Sequence, residues 1–349
     1  MLGQDKNTRV SLRDIAKELG ISHVSVSLAL RDSPRVSKTR KEEIRKAADR
    51  LGYSPDPMLS ALANYRQQKN NLGIHSALAW INQWPDKDEL RKYKEFNAYW
   101  NGAKQAASNL GFRLEEFPIT EDLSGARLLT ILRTRNIRGI LIPPHPSGID
   151  LKGFNWDNFA MVRFGYSVRQ SKVHLVTSEM VSNTMSAYEQ IRDHGYQRIG
   201  MVSSEQHDLN TRHNIRAGFK AAEDLHTEPD QRIPSLFFEN EDFDENLREF
   251  KKWIDCYKPD AIFSCTNVVK ELLDHLKIKV PDDIGVAVSS VLDGYFDTGI
   301  DQNSYEIGRV AASMLAGLIN ENETGLPQAV RRTTIIGNWV QGESLPPKV

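Results

Sequence analysis

Ser22, Ser25 and Ser27 fall within six residues of one another, and Arg31, Arg35, Lys38 and Arg40 follow closely. Hydroxyl and guanidinium donors at this density suit phosphate oxygens. A second group of side chains lies further on, at the ends of short apolar runs. Trp84, in an unusually long loop after Ile81, and Phe96 offer flat faces on which a sugar ring can stack. Arg212, Asn267 and Asp293 offer polar contacts near three other strand ends. Each of these five taken alone reads first as a surface or structural residue, and only convergence makes a site of them.

Catalytic and metal chemistry finds little support. No G-x-G-x-x-G follows a strand, and the phosphate-loop, H-E-x-x-H and G-x-S-x-G patterns are absent. The nine histidines show no ligand spacing beyond His207 and His213, which are six apart in a polar loop and read as solvated. Cys256 and Cys265 make neither a disulfide framework nor a zinc site and read as core residues flanking Lys258, Pro259 and Asp260. No cofactor and no metal are expected. Because a fold does not dictate its function, a cytoplasmic sugar-active enzyme or sensor whose basic head binds protein is the alternative reading.

These residues sit on a chain of 349, enough for two or three domains. It contains no apolar run of bilayer-spanning length, and the start MLGQDKNTRV lacks a signal-peptide core, so a cytoplasmic protein off the membrane is expected. The formal net charge of −1 conceals an uneven distribution: residues 1–72 hold 14 basic against eight acidic side chains, leaving 31 against 38 in the remainder. A basic head on an acidic body follows.

Three short helices fit residues 11–52. Ser11 and Asp14 form a capping box before Leu12, Ile15, Ala16 and Leu19, and Gly20 ends the helix. Ser22 caps a second helix only two residues later, so the pair must cross steeply, as in a helix-turn-helix. Val26, Ala29 and Leu30 form its buried face, leaving His23, Val24, Ser27 and Leu28 outward, toward the end that would enter a major groove. The third helix runs from Ser37 to Leu51. A generic three-helix protein-contact module is the competing reading. Asp56 and Pro57 then start a short helix to about Tyr65, with Met58, Leu59 and Leu62 on one side. Alone it is too short to be stable in water. It either packs on its own domain or folds against DNA and wedges an apolar residue into the minor groove.

The run from Val10 through SLRDIAKELGISHVSVSLAL to Arg31, with SPRVSKTR and AADRLGYSPDP, resembles the head of the lactose-repressor (LacI/GalR) family of transcriptional regulators. The resemblance is strong to Leu62 and looser beyond. It implies that His23, Val24 and Leu28 read operator bases, that Ser22, Ser25, Ser27, Arg31 and Arg35 hold the backbone, and that Leu62, with Leu59, is the intercalating hinge. Leu28 stands where relatives commonly carry arginine, and Arg31 and Asp56 where they carry asparagine. A leucine meets a thymine methyl but makes no bidentate bond to guanine.

From Leu72 onward, apolar runs alternate with helical stretches in two successive sets, predicting two lobes of doubly wound parallel sheet with a cleft between them. The first set has strands at 76–81, 112–117, 139–142 and 159–164; the second has strands at 198–202, 235–238, 261–264 and 285–288. RTRNIRGILIPP, HGYQRIGMVSS, RAGFKAAEDL, KPDAIF and VPDDIGV resemble the family's periplasmic-binding-protein-like core. That resemblance places lobe crossings near Tyr166, Asp297 and Val330, and divides the chain into a head (1–53), a hinge (54–72) and a core (73–349). It implies a homodimer on a palindromic double-stranded operator and a sugar-like effector stacked on Phe243. No leucine heptad follows Trp339, so a dimer rather than a tetramer is expected. Ile215 replaces the family's effector-binding arginine, and Ser290 its strand-end aspartate.

Overall fold

The computed structural model describes residues 10–30, 36–53, 76–84, 86, 88–119, 123, 125–145, 155–167 and 172–348, and the chain divides into two units, 1–74 and 75–349. Arg31, Arg35, Leu59, Leu62 and the expected hinge helix lie outside the described residues.

In the first unit, α1 (Leu12–Leu19), α2 (His23–Leu30) and α3 (Lys38–Leu51) enclose Ile15, Val26, Ala29, Ile44 and Ala47, all essentially inaccessible to water. The Asp14 carboxylate accepts from the Ser11 N–H at 2.8 Å and its hydroxyl at 2.7 Å, which holds the Asp14 carboxyl below its ordinary range. Gly20 closes α1 in the left-handed region at φ 62°, where a side chain would be strained. The Ser22 hydroxyl accepts from the Ser25 N–H at 3.1 Å, so α2 begins after only three residues, Gly20 to Ser22.

The second unit holds two six-stranded sheets. The first contains β1 (Ser76–Asn82), β2 (Phe112–Pro118), β3 (Gly139–Ile142), β4 (Ala160–Phe164), β5 (His174–Ser178) and β11 (Arg332–Ile335), in the order β11-β5-β4-β3-β1-β2, all parallel. The second contains β6 (Ile199–Ser204), β7 (Leu236–Phe238), β8 (Ala261–Ser264), β9 (Gly285–Val288), β10 (Gly299–Asp301) and β12 (Asn338–Val340), in the order β12-β10-β9-β8-β6-β7. There only β12 runs antiparallel, against β10. Parallel strands need both faces covered, and their runs are correspondingly apolar. Among the described residues no helix is long and apolar enough to cross a membrane.

The chain crosses between the sheets three times, and each crossing falls later than expected. The first lies after β5, at Glu179, rather than near Tyr166, because HLVTS adds a further strand to the first sheet. The second lies between Asp301 and Ser304 rather than near Asp297, and the third at Ile336 and Gly337 rather than near Val330. β5, β10 and β11 are short, and periodicity does not separate such runs from loops. Two asparagines lace the crossings together. Asn183 donates to the Ser178 hydroxyl at 2.9 Å and accepts from the Gly337 N–H at 2.8 Å, while Asn303 donates to the Ile336 carbonyl at 2.7 Å.

The largest element not anticipated from the sequence is a helix at Ser304–Glu321, which lies across the first sheet against the helix Lys94–Asn109. The two touch backbone to backbone. A Cβ on Gly102 would stand 1.9 Å from the Tyr305 carbonyl oxygen, and one on Gly308 2.0 Å from that of Tyr99. Gly308→Ala must therefore push the helices apart, and urea unfolding should show a loss of about 2–3 kcal/mol or more. Gly317→Ala, in the same helix where a Cβ meets open space, should instead be neutral or stabilise by up to about 1 kcal/mol.

Candidate nucleic-acid interface and ligand cleft

On the head, α2 divides cleanly between two faces. Val26 and Ala29 are buried and Leu30 packs beside them, whereas His23 and Val24 are exposed, Val24 by 53%, and Ser27 and Leu28 are half-buried on the same outward side. A helix held on one side by its own domain and bare along the other is what a major groove accepts. Ser22 and Ser25 share a hydrogen bond at 2.9 Å, so these two hydroxyls form the cap of α2 as well as part of its exposed start. Arg50 and Glu18 pair across α3 and α1, which fixes the frame that presents α2.

In the core, ligands of such sheets sit beyond the carboxyl ends of the strands. Trp84 follows β1 but is not the open platform that its long loop suggests. It is 8% exposed, its indole N–H donates to the Pro144 carbonyl at 2.9 Å, and its ring packs on Tyr93, Phe96 and His145 at 5.5, 6.3 and 6.1 Å. Phe96 belongs to the same aromatic cluster, which continues through Tyr99 to Phe164. The accessible ring here is Tyr93, 43% exposed, which sequence reasoning passed over.

Asp293 and Asn267 converge. The Asn267 amide donates to the Asp293 carbonyl at 3.0 Å, and Asp293 reaches the first lobe. The Asp293 carboxylate there accepts from the backbone N–H groups of Lys94, at 2.6 Å, and Glu95, at 3.1 Å, the start of the helix Lys94–Asn109. Ser290 donates its hydroxyl to the Glu95 carboxylate. Burial pushes the Glu95 carboxyl up to about 7, with Asp293 and Asp301 adding to the rise and the Ser290 bond opposing it.

The other candidates lie apart from this group. Arg212 is exposed on a turn at φ 52° and lies near Arg163, whose guanidinium is pushed down to about 10, first by burial and then by the Arg212 charge. Arg163 itself is 2% exposed and donates to the Gly165 carbonyl at 2.6 Å. Phe243 opens the helix Phe243–Tyr257, and its ring meets His275 at 5.7 Å within the second lobe's helix layer, so this edge is engaged. His213 is not simply solvated: its Nδ1 lies 2.6 Å from the buried Asp208 carboxylate, which also pairs with Arg216 at 2.6 Å. Cys265 is a partly buried thiol pushed up to about 12 by burial, but Cys256 is exposed and not a core residue, because it falls on the outer side of its helix. Among the described residues no group of three or more His, Cys, Asp or Glu is placed to hold a metal.

Comparison with known proteins agrees with this geometry. The family described as bacterial regulatory proteins, lacI family, matches residues 11–56, and the periplasmic binding protein-like domain matches residues 188–345. The HTH-type transcriptional regulator MalR of Streptococcus pneumoniae is 20% identical over 320 residues, covering 90% of this chain and 94% of the relative. The probable HTH-type transcriptional repressor ExuR of Bacillus subtilis is 35% identical over 65 residues, 19% of each chain. Among solved structures, the transcriptional regulator CelR–cellobiose complex superposes with a TM-score of 0.56 at 17% identity, over 96% of this chain and 100% of that one. The lac repressor dimer bound to operator and the anti-inducer ONPF gives 0.54 at 15% identity, over 97% and 100%. A helix-turn-helix head followed by a two-lobed α/β core defines a class of DNA-binding proteins that carry a ligand cleft. This chain joins a helix-turn-helix head of the lacI type of bacterial regulatory protein to a periplasmic-binding-protein-like core.

Because Trp84 is a core side chain, Trp84→Ala should cost about 3–5 kcal/mol in urea unfolding of the core, the usual range for a buried large aromatic. A role confined to ligand stacking would leave that midpoint in place.

Proposed function

We propose that this regulator is a cytoplasmic repressor that binds a palindromic operator as a homodimer and is switched by a sugar or sugar derivative held between its lobes. The observation that carries the reading is the bare face of α2, where His23, Val24, Ser27 and Leu28 stand together on a basic head. His23, Val24 and Leu28 meet base edges, Val24 and Leu28 through thymine methyls. Ser22, Ser25, Ser27, Arg31 and Arg35 hold phosphates, and Leu62, with Leu59, wedges the minor groove at the centre of the site. Two heads related by a twofold axis read two half-sites, which is why the operator is palindromic. The relatives' names support the remainder: one solved structure is a cellobiose complex, another from Enterococcus faecium holds ribose, and a third is a repressor dimer on its operator. In this chain Asn267, Asp293 and Phe96 line one end of the cleft and Arg212 the other, while Phe243 and Trp84 support the walls. An effector with different affinities for the open and closed lobes then shifts the DNA-bound population.

Selection from a random DNA pool, followed by gel-shift titration, tests the reading. We expect sequence-selective binding that weakens steeply with salt, with His23→Ala or Val24→Ala losing about 1–3 kcal/mol of discrimination. Binding without sequence preference would overturn it. Leu62→Ala should weaken specific binding far more than non-specific binding, and equal losses would remove the wedge. A thermal-shift screen over sugars and sugar phosphates identifies the effector class.

A further inference from the structure

We propose that the two lobes of the core are closed by a proton-carrying latch, in which Asp293 caps the helix beginning at Lys94 while Ser290 bonds the Glu95 carboxyl, so that closure is favoured by acid. The latch spans the lobes: Lys94 and Glu95 follow β1 of the first sheet, and Ser290 and Asp293 follow β9 of the second. It belongs to the chain itself and holds whether or not the cleft takes a sugar.

The geometry sets the chemistry. The Asp293 carboxylate occupies the positive end of a 16-residue helix, where two otherwise unsatisfied N–H groups receive it. That seat brings a second carboxyl, Glu95, one residue into the same helix end. Among the described residues neither Glu95 nor Asp293 forms an ion pair with a lysine, arginine or histidine. The charged and titratable groups around Glu95 are Lys94 and Tyr99 on its own helix, Asp293 beside Ser290 on the second lobe's loop, and Asp301 at the end of β10. Tyr93 adds a phenol pushed up first by burial and then by Glu89, Asp293 and Glu241, and Ser304 bonds Tyr99 from the neighbouring helix. The surroundings of Glu95 are therefore weighted toward acids, and like-charged carboxyls in a partly buried site resist ionising together.

Closed lobes hold the Glu95 proton near pH 7, against 4.5 for an ordinary glutamate in water. A raised carboxyl pKa makes its contribution to closure complete below the ordinary value and removes it as pH rises through the raised one. Between those limits the closed-to-open ratio falls by up to about tenfold per pH unit. Asp293 works differently: each of its two carboxylate oxygens takes one backbone N–H, so the latch is strongest with both acceptors in place and Glu95 neutral.

The test uses the full-length chain carrying Cys256→Ser, with spin labels at Lys104→Cys on the first lobe and Lys252→Cys on the second, diluted with unlabelled chain. Pulsed electron resonance then reads the inter-lobe distance without DNA or effector, from about pH 5 to about pH 8. The parent should move from a short to a long distance population as pH rises. Glu95→Gln, which mimics the neutral carboxyl, should stay short throughout, and Asp293→Ala should be long throughout. Asp293→Asn keeps the shape but only one acceptor oxygen, so it should be intermediate, and it serves if Asp293→Ala fails to fold. Distances independent of pH in the parent, a pH response surviving in Glu95→Gln, or short distances persisting in the Asp293 variants would each overturn the latch. None of these results depends on operator or effector binding, so the latch and the proposed function stand or fall separately.

Discussion

Two glycines set how closely the main helices of the core can pack. Gly102 and Gly308 let the helices Lys94–Asn109 and Ser304–Glu321 meet at their backbones, each accepting a carbonyl where a methyl group would have stood. The first helix starts at the two N–H groups that receive Asp293, and the second starts one residue after Asn303, which laces the crossings. The close contact between these helices therefore positions both the seat where the lobes meet and the crossing that Asn303 laces. The aromatic layer from Trp84 through Phe96 and Tyr99 to Phe164 fills the space beside it, so the first lobe is rigid where it must offer a fixed surface to the second.

Charge is arranged on the same principle of local rather than total balance. The chain is nearly neutral overall, yet the head is basic and the body acidic. Within the core the separation recurs, with Glu95 close to Asp293 and Asp301, and Arg163 close to Arg212. Charges grouped by sign in this way give the core a local field with direction, which the net charge does not reveal.

The head was legible because its determinants are local. Ser11, Asp14, Gly20 and Ser22 are each within a few residues of the groups they satisfy, and the buried face of α2 follows from helical periodicity alone. In the core the alternation of strands and helices was legible, but the residues whose partners lie far along the chain were not. β11 becomes a strand only by pairing with β5, with Arg332 opposite Leu175, more than 150 residues apart in sequence. Trp84 read as an exposed ring because nothing near it in sequence shows that Pro144 accepts its N–H. Phe243 was placed by family likeness, and His275 on another helix decides where its ring rests. Ser290 stood out only as a departure from the family, with no sign that its hydroxyl reaches Glu95 in the other lobe.

The last strands of the chain have a consequence for the order in which the molecule is made. β11 completes the edge of the first sheet and β12 the edge of the second, and beyond them the Ser344 hydroxyl donates to the Val286 carbonyl while Lys348 N–H donates to that of His194. Neither lobe can finish assembling until these residues have left the ribosome. The head, with its own core from Ile15 to Ala48, needs nothing beyond Tyr53 and emerges first. During synthesis the three-helix core is therefore complete before either sheet of the second unit.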